Sequence, residues 1–144
     1  MLRDAITDEY DIRKLLMRYT MCGDRGDLEG LASCFGDQGT LKFPRAEATG
    51  AAAIRKVLSE GKPNNRLKRL RHHLTSSQIL FSEADPIRAN GRTYFLTITN
   101  AGPDHSGVYV DTFTKASGQW EIARREVRID WQSETSVYER FPGL

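Results

Sequence analysis

Cysteine is scarce in this sequence: Cys22 and Cys34 are the only two in 144 residues. A domain stapled by disulfides for secretion normally carries more, so both thiols are expected reduced, small and largely buried. No apolar run approaches the ~18 residues that a membrane-spanning helix needs. The opening stretch MLRDAITDEYDIRK lacks the apolar centre of a signal peptide, and the expected location is the cytoplasm. An excess of one charge is missing too. The net charge of +2 makes no electrostatic case for nucleic acid or for an anionic membrane as a partner. Several site motifs are also absent: no glycine-rich phosphate loop, no dinucleotide fingerprint, no CxxC, no HExxH and no Gly-x-Ser-x-Gly elbow. Three histidines, two of them adjacent, do not make a metal site by spacing. Neither a metal nor a cofactor is expected.

What is present is a globular composition, 39% hydrophobic and 28% charged, in a chain of one-domain length. Residues 1–144 are expected to form a single domain. Thr7 followed by Asp8 and Glu9 predicts a helix start. Ile12, Leu15, Leu16, Tyr19 and Cys22 then recur at helical spacing, with Gly23 as the stop. Asp27 predicts the cap of a short second helix bearing Leu28, Leu31, Ala32 and Phe35. GDQGTLKF predicts a turn into one short strand. A third helix is expected through AAAIRKVLSEG, with Ile54, Val57 and Leu58 inward and Gly61 ending it, before a KPNNR loop.

After residue 68 the texture becomes β-branched and aromatic. RLRHHLTSSQILFS, RTYFLTITN, GVYVDTFTK and QWEIARREVRIDW predict four strands, separated by ADPIRANG, AGPDHSG and ASG. Connections this short imply an antiparallel meander. Helices grouped ahead of such a sheet predict an α+β layer fold. A strongly curved sheet would leave a cavity against the helices, where a ligand site is expected.

The basic residues Arg66, Lys68, Arg69 and Arg71 admit two readings, a phosphate or nucleic-acid contact and a solvated run that discourages edge-to-edge strand pairing, and the near-balanced charge favours the second. The chemistry-bearing candidates are Asp24, in CGDRGD, and the doublet His72–His73. Strand alternation sends those two rings to opposite faces, so one of them faces the helices. A neutral imidazole is a good general base near pH 7, and a carboxylate on its other nitrogen fixes the tautomer. His105, in a Gly/Pro/Asp loop, is expected to be exposed or at a pocket rim. Asp111 shares a strand face with Tyr109 and Phe113 and is expected to pair with Arg128 or Arg124.

The stretch RYTMCGDRGDLEGLASCF resembles the first-helix signature of the SnoaL-like family within the nuclear-transport-factor-2-like superfamily. The downstream order is similar as well, through RHHLTS to DTFTKASGQWEIARREVRIDW, with Gly118, Trp120, Ile122, Arg128 and Trp131 in the positions usual for the group. The resemblance implies a cone-shaped, cystatin-like fold: three N-terminal helices on a strongly curved, mostly antiparallel sheet. It covers nearly the whole chain, and its motifs specify the fold more than the reaction.

The functional look-alikes are scytalone dehydratase, hexachlorocyclohexane dehydrochlorinase and bile-acid 7α-dehydratase, cofactor-free enzymes that remove a proton from carbon with an Asp–His dyad. Laid on this chain, the dyad falls on Asp24 and His73. Scytalone dehydratase's second strand histidine falls on Asn100, its serine and asparagine near Gly107 and Tyr109, and its helix tyrosine on Gly23. These departures set the chain apart from scytalone dehydratase itself. The resemblance thus implies a cofactor-independent lyase or isomerase acting on a small hydrophobic ring compound, with Tyr19, Tyr94, Asn100, Tyr109 and Arg128 as substrate-binding candidates. Two alternatives stand beside it: a non-catalytic small subunit of a ring-hydroxylating dioxygenase, and a small-molecule-binding domain. A homodimer or higher homo-oligomer is expected.

Overall fold

The computed structural model describes residues 4–60 and 66–144. The elements run α1 (Ala5–Arg25), α2 (Leu28–Ala32), β1 (Phe35–Lys42), β2 (Glu47–Thr49), α3 (Ala51–Glu60), β3 (Leu70–Phe81), β4 (Arg88–Thr99), β5 (Gly102–Thr114) and β6 (Glu121–Gln132). The strands form one sheet in the order β2-β1-β6-β5-β4-β3. All neighbours are antiparallel except β1 and β6, which are parallel. This is the α+β arrangement that the sequence implies, with the meander β3–β6 as expected. Two strands lie between α2 and α3 where one was expected. The Gly61 stop and most of the KPNNR loop fall outside the described residues.

Both ends of α1 differ from the reading of the sequence. Its cap is Asp4, whose carboxylate accepts the Thr7 backbone N–H at 3.1 Å and the Thr7 hydroxyl at 2.6 Å. Thr7 therefore sits inside the first turn, bonded to the acidic cap. The helix also passes through Gly23 and stops only at Gly26, whose φ of 71° is the left-handed conformation that glycine adopts without strain. Asp24 thus belongs to the last rigid turn of a helix. Asp27 caps α2 as expected, accepting the Gly30 N–H at 2.9 Å.

The core lies between the helices and the concave face of the sheet. Ile12, Leu16 and Ile54 of the helices pack with Phe95, Phe113 and Ile122 of the strands. Each such side chain contributes about 1.5–3 kcal/mol when fully buried. Cys22 and Cys34 are buried and unbridged, and burial pushes the Cys34 thiol up to about 11. Curvature comes from irregular register, including a shift between Ser106 and Gly107 where β5 meets β6. A Cβ on Gly107 would lie 1.9 Å from the Arg128 carbonyl oxygen, so only glycine allows this approach of the two backbones.

One ion pair lies inside the core. Arg125 and Asp111 are opposite each other across β5 and β6, bonded at 2.8 Å through both carboxylate oxygens and both fully buried. The guanidinium lies 4.2 Å from the Tyr19 ring centroid and 4.1 Å from that of Tyr109. Burial opposes the charge on Arg125, yet the Asp111 carboxylate and the two tyrosines together raise its pKa. The partner of Asp111 is therefore Arg125. Arg124 and Arg128 point to the opposite face and bond Glu47 and Glu126 there. Odd-numbered residues of both strands face inward at this register, which excludes those two arginines.

Candidate active site

A cavity of about 1020 Å³ opens between the helices and the concave sheet face, at the upper end of the range for small-molecule pockets. Its walls are largely apolar, from Leu28 and Leu31 of α2, Val57 and Leu58 of α3, and Phe95 and Val127 of the sheet. Its lining includes the carboxylate of Asp24 and the imidazoles of His72 and His105.

Asp24 meets His72, not His73. Its Oδ1 lies 2.6 Å from His72 Nδ1, with the carboxylate 7% and the imidazole 23% exposed. The same carboxylate accepts the His72 backbone N–H at 3.0 and 3.2 Å. β3 is the edge strand of the sheet, so that amide is available to a side chain. A carboxylate only accepts, so Nδ1 carries the hydrogen and the lone pair is left on Nε2. His73 is exposed on the other face of β3. The reason is a bulge between Leu74 and Ser77. Past it, Ile79 and Phe81 pack on the core, which by unbroken alternation would put His73 inward. The inserted residue reverses the parity, so Leu74 and His72 are the inward pair.

His105 corrects a second expectation. β5 begins at Gly102, so GPDHSG is strand, and His105 is buried at 6% exposure. Its Nδ1 lies 2.7 Å from Asp104 Oδ1, and the Asp104 side chain is fully buried. That carboxylate also accepts from the Ser136 hydroxyl and the Val137 N–H, each at 2.8 Å. Burial holds the His105 ring below the ordinary histidine range, although Asp104 pulls the other way. The ring is therefore neutral near pH 7, with Nδ1–H on Asp104. His72, Thr97 and His105 face one another across β3, β4 and β5, and the two imidazole centroids stand 6.4 Å apart. Residue parity held the signal for His105, because it continues the inward series of Tyr109, Asp111 and Phe113.

Of the substrate-binding candidates, Tyr19 and Tyr109 line the cavity. Burial raises both phenol pKa values, so both are neutral donors. Phe95 stacks on Tyr109 at 4.5 Å. The other three lie elsewhere. Tyr94 is 54% exposed on the convex face, since it alternates with the inward Phe95. Arg128 is also outside, 3.2 Å from Glu126. The Asn100 side chain is spent on the backbone, accepting from Lys68 N–H at 2.7 Å and donating to the Arg66 carbonyl at 3.0 Å. Among the described residues, no group of three or more His, Cys, Asp or Glu is placed to hold a metal ion.

The model of the SnoaL-like domain family matches residues 4–126, and the chain belongs to that family. No curated protein matches the chain. Among solved structures, a variant of Rv3472, a protein of unknown function from Mycobacterium tuberculosis, is 32% identical over 86% of this chain and 72% of that one, with a TM-score of 0.72. A candidate scytalone dehydratase from Novosphingobium aromaticivorans is 27% identical over 96% of this chain and 94% of that one, with a TM-score of 0.76. The beta subunit of a candidate aromatic-ring-hydroxylating dioxygenase from the same organism is 17% identical over 91% and 94%, with a TM-score of 0.73; that likeness is one of fold. Two further solved structures, from Nostoc punctiforme and Novosphingobium aromaticivorans, are 22% and 23% identical with TM-scores of 0.76 and have a cystatin-like fold, which this chain shares.

Proposed function

We propose that this protein is a cofactor-independent lyase or isomerase that removes a proton from carbon in a small hydrophobic ring compound. The observation that carries the proposal is the 2.6 Å contact between Asp24 and His72 inside the cavity. His72 Nε2 takes the proton, and Asp24 stabilises the imidazolium that forms. In a dehydration the C–H pair becomes the new π bond as the C–O bond breaks. The imidazolium then returns the proton to the departing oxygen, which leaves as water. In an isomerisation the proton returns to a second carbon. Neutral His105 accepts a hydrogen bond from a substrate hydroxyl, and the Tyr19 or Tyr109 phenol donates to an oxygen that gains charge. The structural likeness to a candidate scytalone dehydratase supports this reading.

The test is proton exchange. The protein is incubated in D₂O with a panel of hydroxylated ring compounds, and deuterium uptake and water loss are followed by mass spectrometry. Uptake or elimination that disappears in both Asp24→Asn and His72→Asn is the expected result. Turnover that survives both substitutions would remove the mechanism. Binding of panel members without exchange in the wild type would instead favour a ligand-binding domain.

Exposed Tyr94, Leu80 and Trp131 support a second proposal: that the convex sheet face covers another chain, most simply a second copy. A monomer by light scattering would refute it, and a stable complex with a larger partner would favour the dioxygenase-subunit alternative. The cytoplasm remains the proposed location. Among the described residues no helix is long and apolar enough to cross a membrane.

A further inference from the structure

The basic run divides between the cavity and the backbone. Lys68 and Arg69 line the cavity and are exposed, as are Arg25 from the end of α1 and Arg45, which places all four at its mouth. Arg66 and Arg71 turn instead to the Ser136 and Leu70 carbonyls. The mouth holds two exposed carboxylates, Glu60 and Glu139, and Glu139 is taken by Arg45 at 2.8 Å. Among the described residues, no carboxylate oxygen lies within 4.0 Å of the charged nitrogens of Arg25, Lys68 or Arg69. The segment that carries two of these cations is also fixed, because Asn100 Oδ1 accepts the backbone N–H groups of Lys68 and Arg69 at 2.7 and 3.3 Å. Asn100 is thus a positioning residue for the rim.

Like charges gathered at the mouth of an apolar hollow focus a positive potential there. We infer that the substrate is a ring compound bearing an anionic substituent, a carboxylate or a phosphoryl ester, which stays at the mouth against Arg25, Lys68 and Arg69 while the ring enters toward His72. This rests on the reading that the cavity binds a ring compound. It adds a polarity to that reading: the apolar end enters first, and an uncharged ring lacks the rim contact.

The test measures binding, so it is independent of turnover. 2-Naphthoate, 2-naphthyl phosphate and neutral 2-naphthamide share one ring system and are titrated by calorimetry. At least one anion is expected to bind about tenfold more tightly than the amide at about 50 mM salt, with most of that preference lost at about 500 mM. The tighter anion identifies the group. In the triple variant Arg25→Gln, Lys68→Gln, Arg69→Gln, the preference should vanish while amide binding stays unchanged; these side chains are exposed, so the fold is retained. Equal binding of all three ligands by the wild type, or a preference that survives the triple variant, overturns the inference. If the amide still binds and His72-dependent exchange persists, only the anionic substituent is lost and the proposed reaction stands. Failure of all three to bind refutes the ring pocket itself.

Discussion

Asp24–His72 and Asp104–His105 are the same two residue types in contact at nearly the same distance, 2.6 and 2.7 Å, yet their surroundings differ. The Asp24 carboxylate spends its bonds on one residue, the backbone and ring of His72, and the imidazole reaches an open cavity. The Asp104 carboxylate also holds Ser136 and Val137. It therefore fastens the segment after β6 against the sheet, and its histidine is packed among Phe95, Tyr138 and Phe141. A contact distance alone does not tell the two pairs apart. What separates them is how many other groups the carboxylate serves and how much of the ring meets the cavity.

Substitution separates the two pairs further. The largest effect is expected at the first: His72→Asn or Asp24→Asn should lower the exchange or elimination rate by about 10²–10⁴ with little change in thermal midpoint. Next in size is a structural control. Arg125→Met leaves the Asp111 carboxylate buried without its cation and should cost about 3–5 kcal/mol by urea unfolding. Asp104→Asn should act mainly on stability, costing about 1–3 kcal/mol because its buried donors lose a charged acceptor, with a smaller loss of rate through His105. If Asp104→Asn cost only rate and Asp24→Asn only stability, the comparison would be inverted.

Acidity offers a finer probe. The folded state holds His105 below the ordinary histidine pKa of about 6.5, so only the unfolded chain takes up a proton as the pH first falls below that value. Stability should therefore be fully present above the ordinary histidine range and decline as the pH falls through it. His105→Gln should flatten that slope in urea midpoints measured across the interval. The smallest effect is expected at His73→Asn, which faces solvent and should change neither rate nor midpoint measurably. A large loss of rate there would return the base to the other member of the doublet.

Much of the fold is legible in the sequence. Periodicity of 3.6 through Ile12, Leu15, Leu16 and Tyr19, the Asp27 cap, and the short gaps between four β-rich segments are local signals, and local signals decide element type. Asp24 was legible too, through its place at the end of the first helix. The doublet was not resolved, because a single bulge after Leu74 reverses which ring points inward. His105 was misplaced because a Gly-Pro-Asp string has the composition of a turn, yet here it runs as strand against Thr97 and Ile98. Arg125 was passed over for Arg124 and Arg128, since three arginines within five residues differ only in the face they take.

The sequence by itself determined an α+β chain with helices first, a meander after them, and an acid at the end of the first helix, because each of these rests on neighbours within a few turns of chain. Tertiary structure alone decided that Asp24 reaches His72, that Asp104 braces the chain end while orienting His105, and that Lys68 and Arg69 stand at a pocket mouth. Those outcomes depend on strand register and on how far the sheet curls, and no residue's own propensity encodes either.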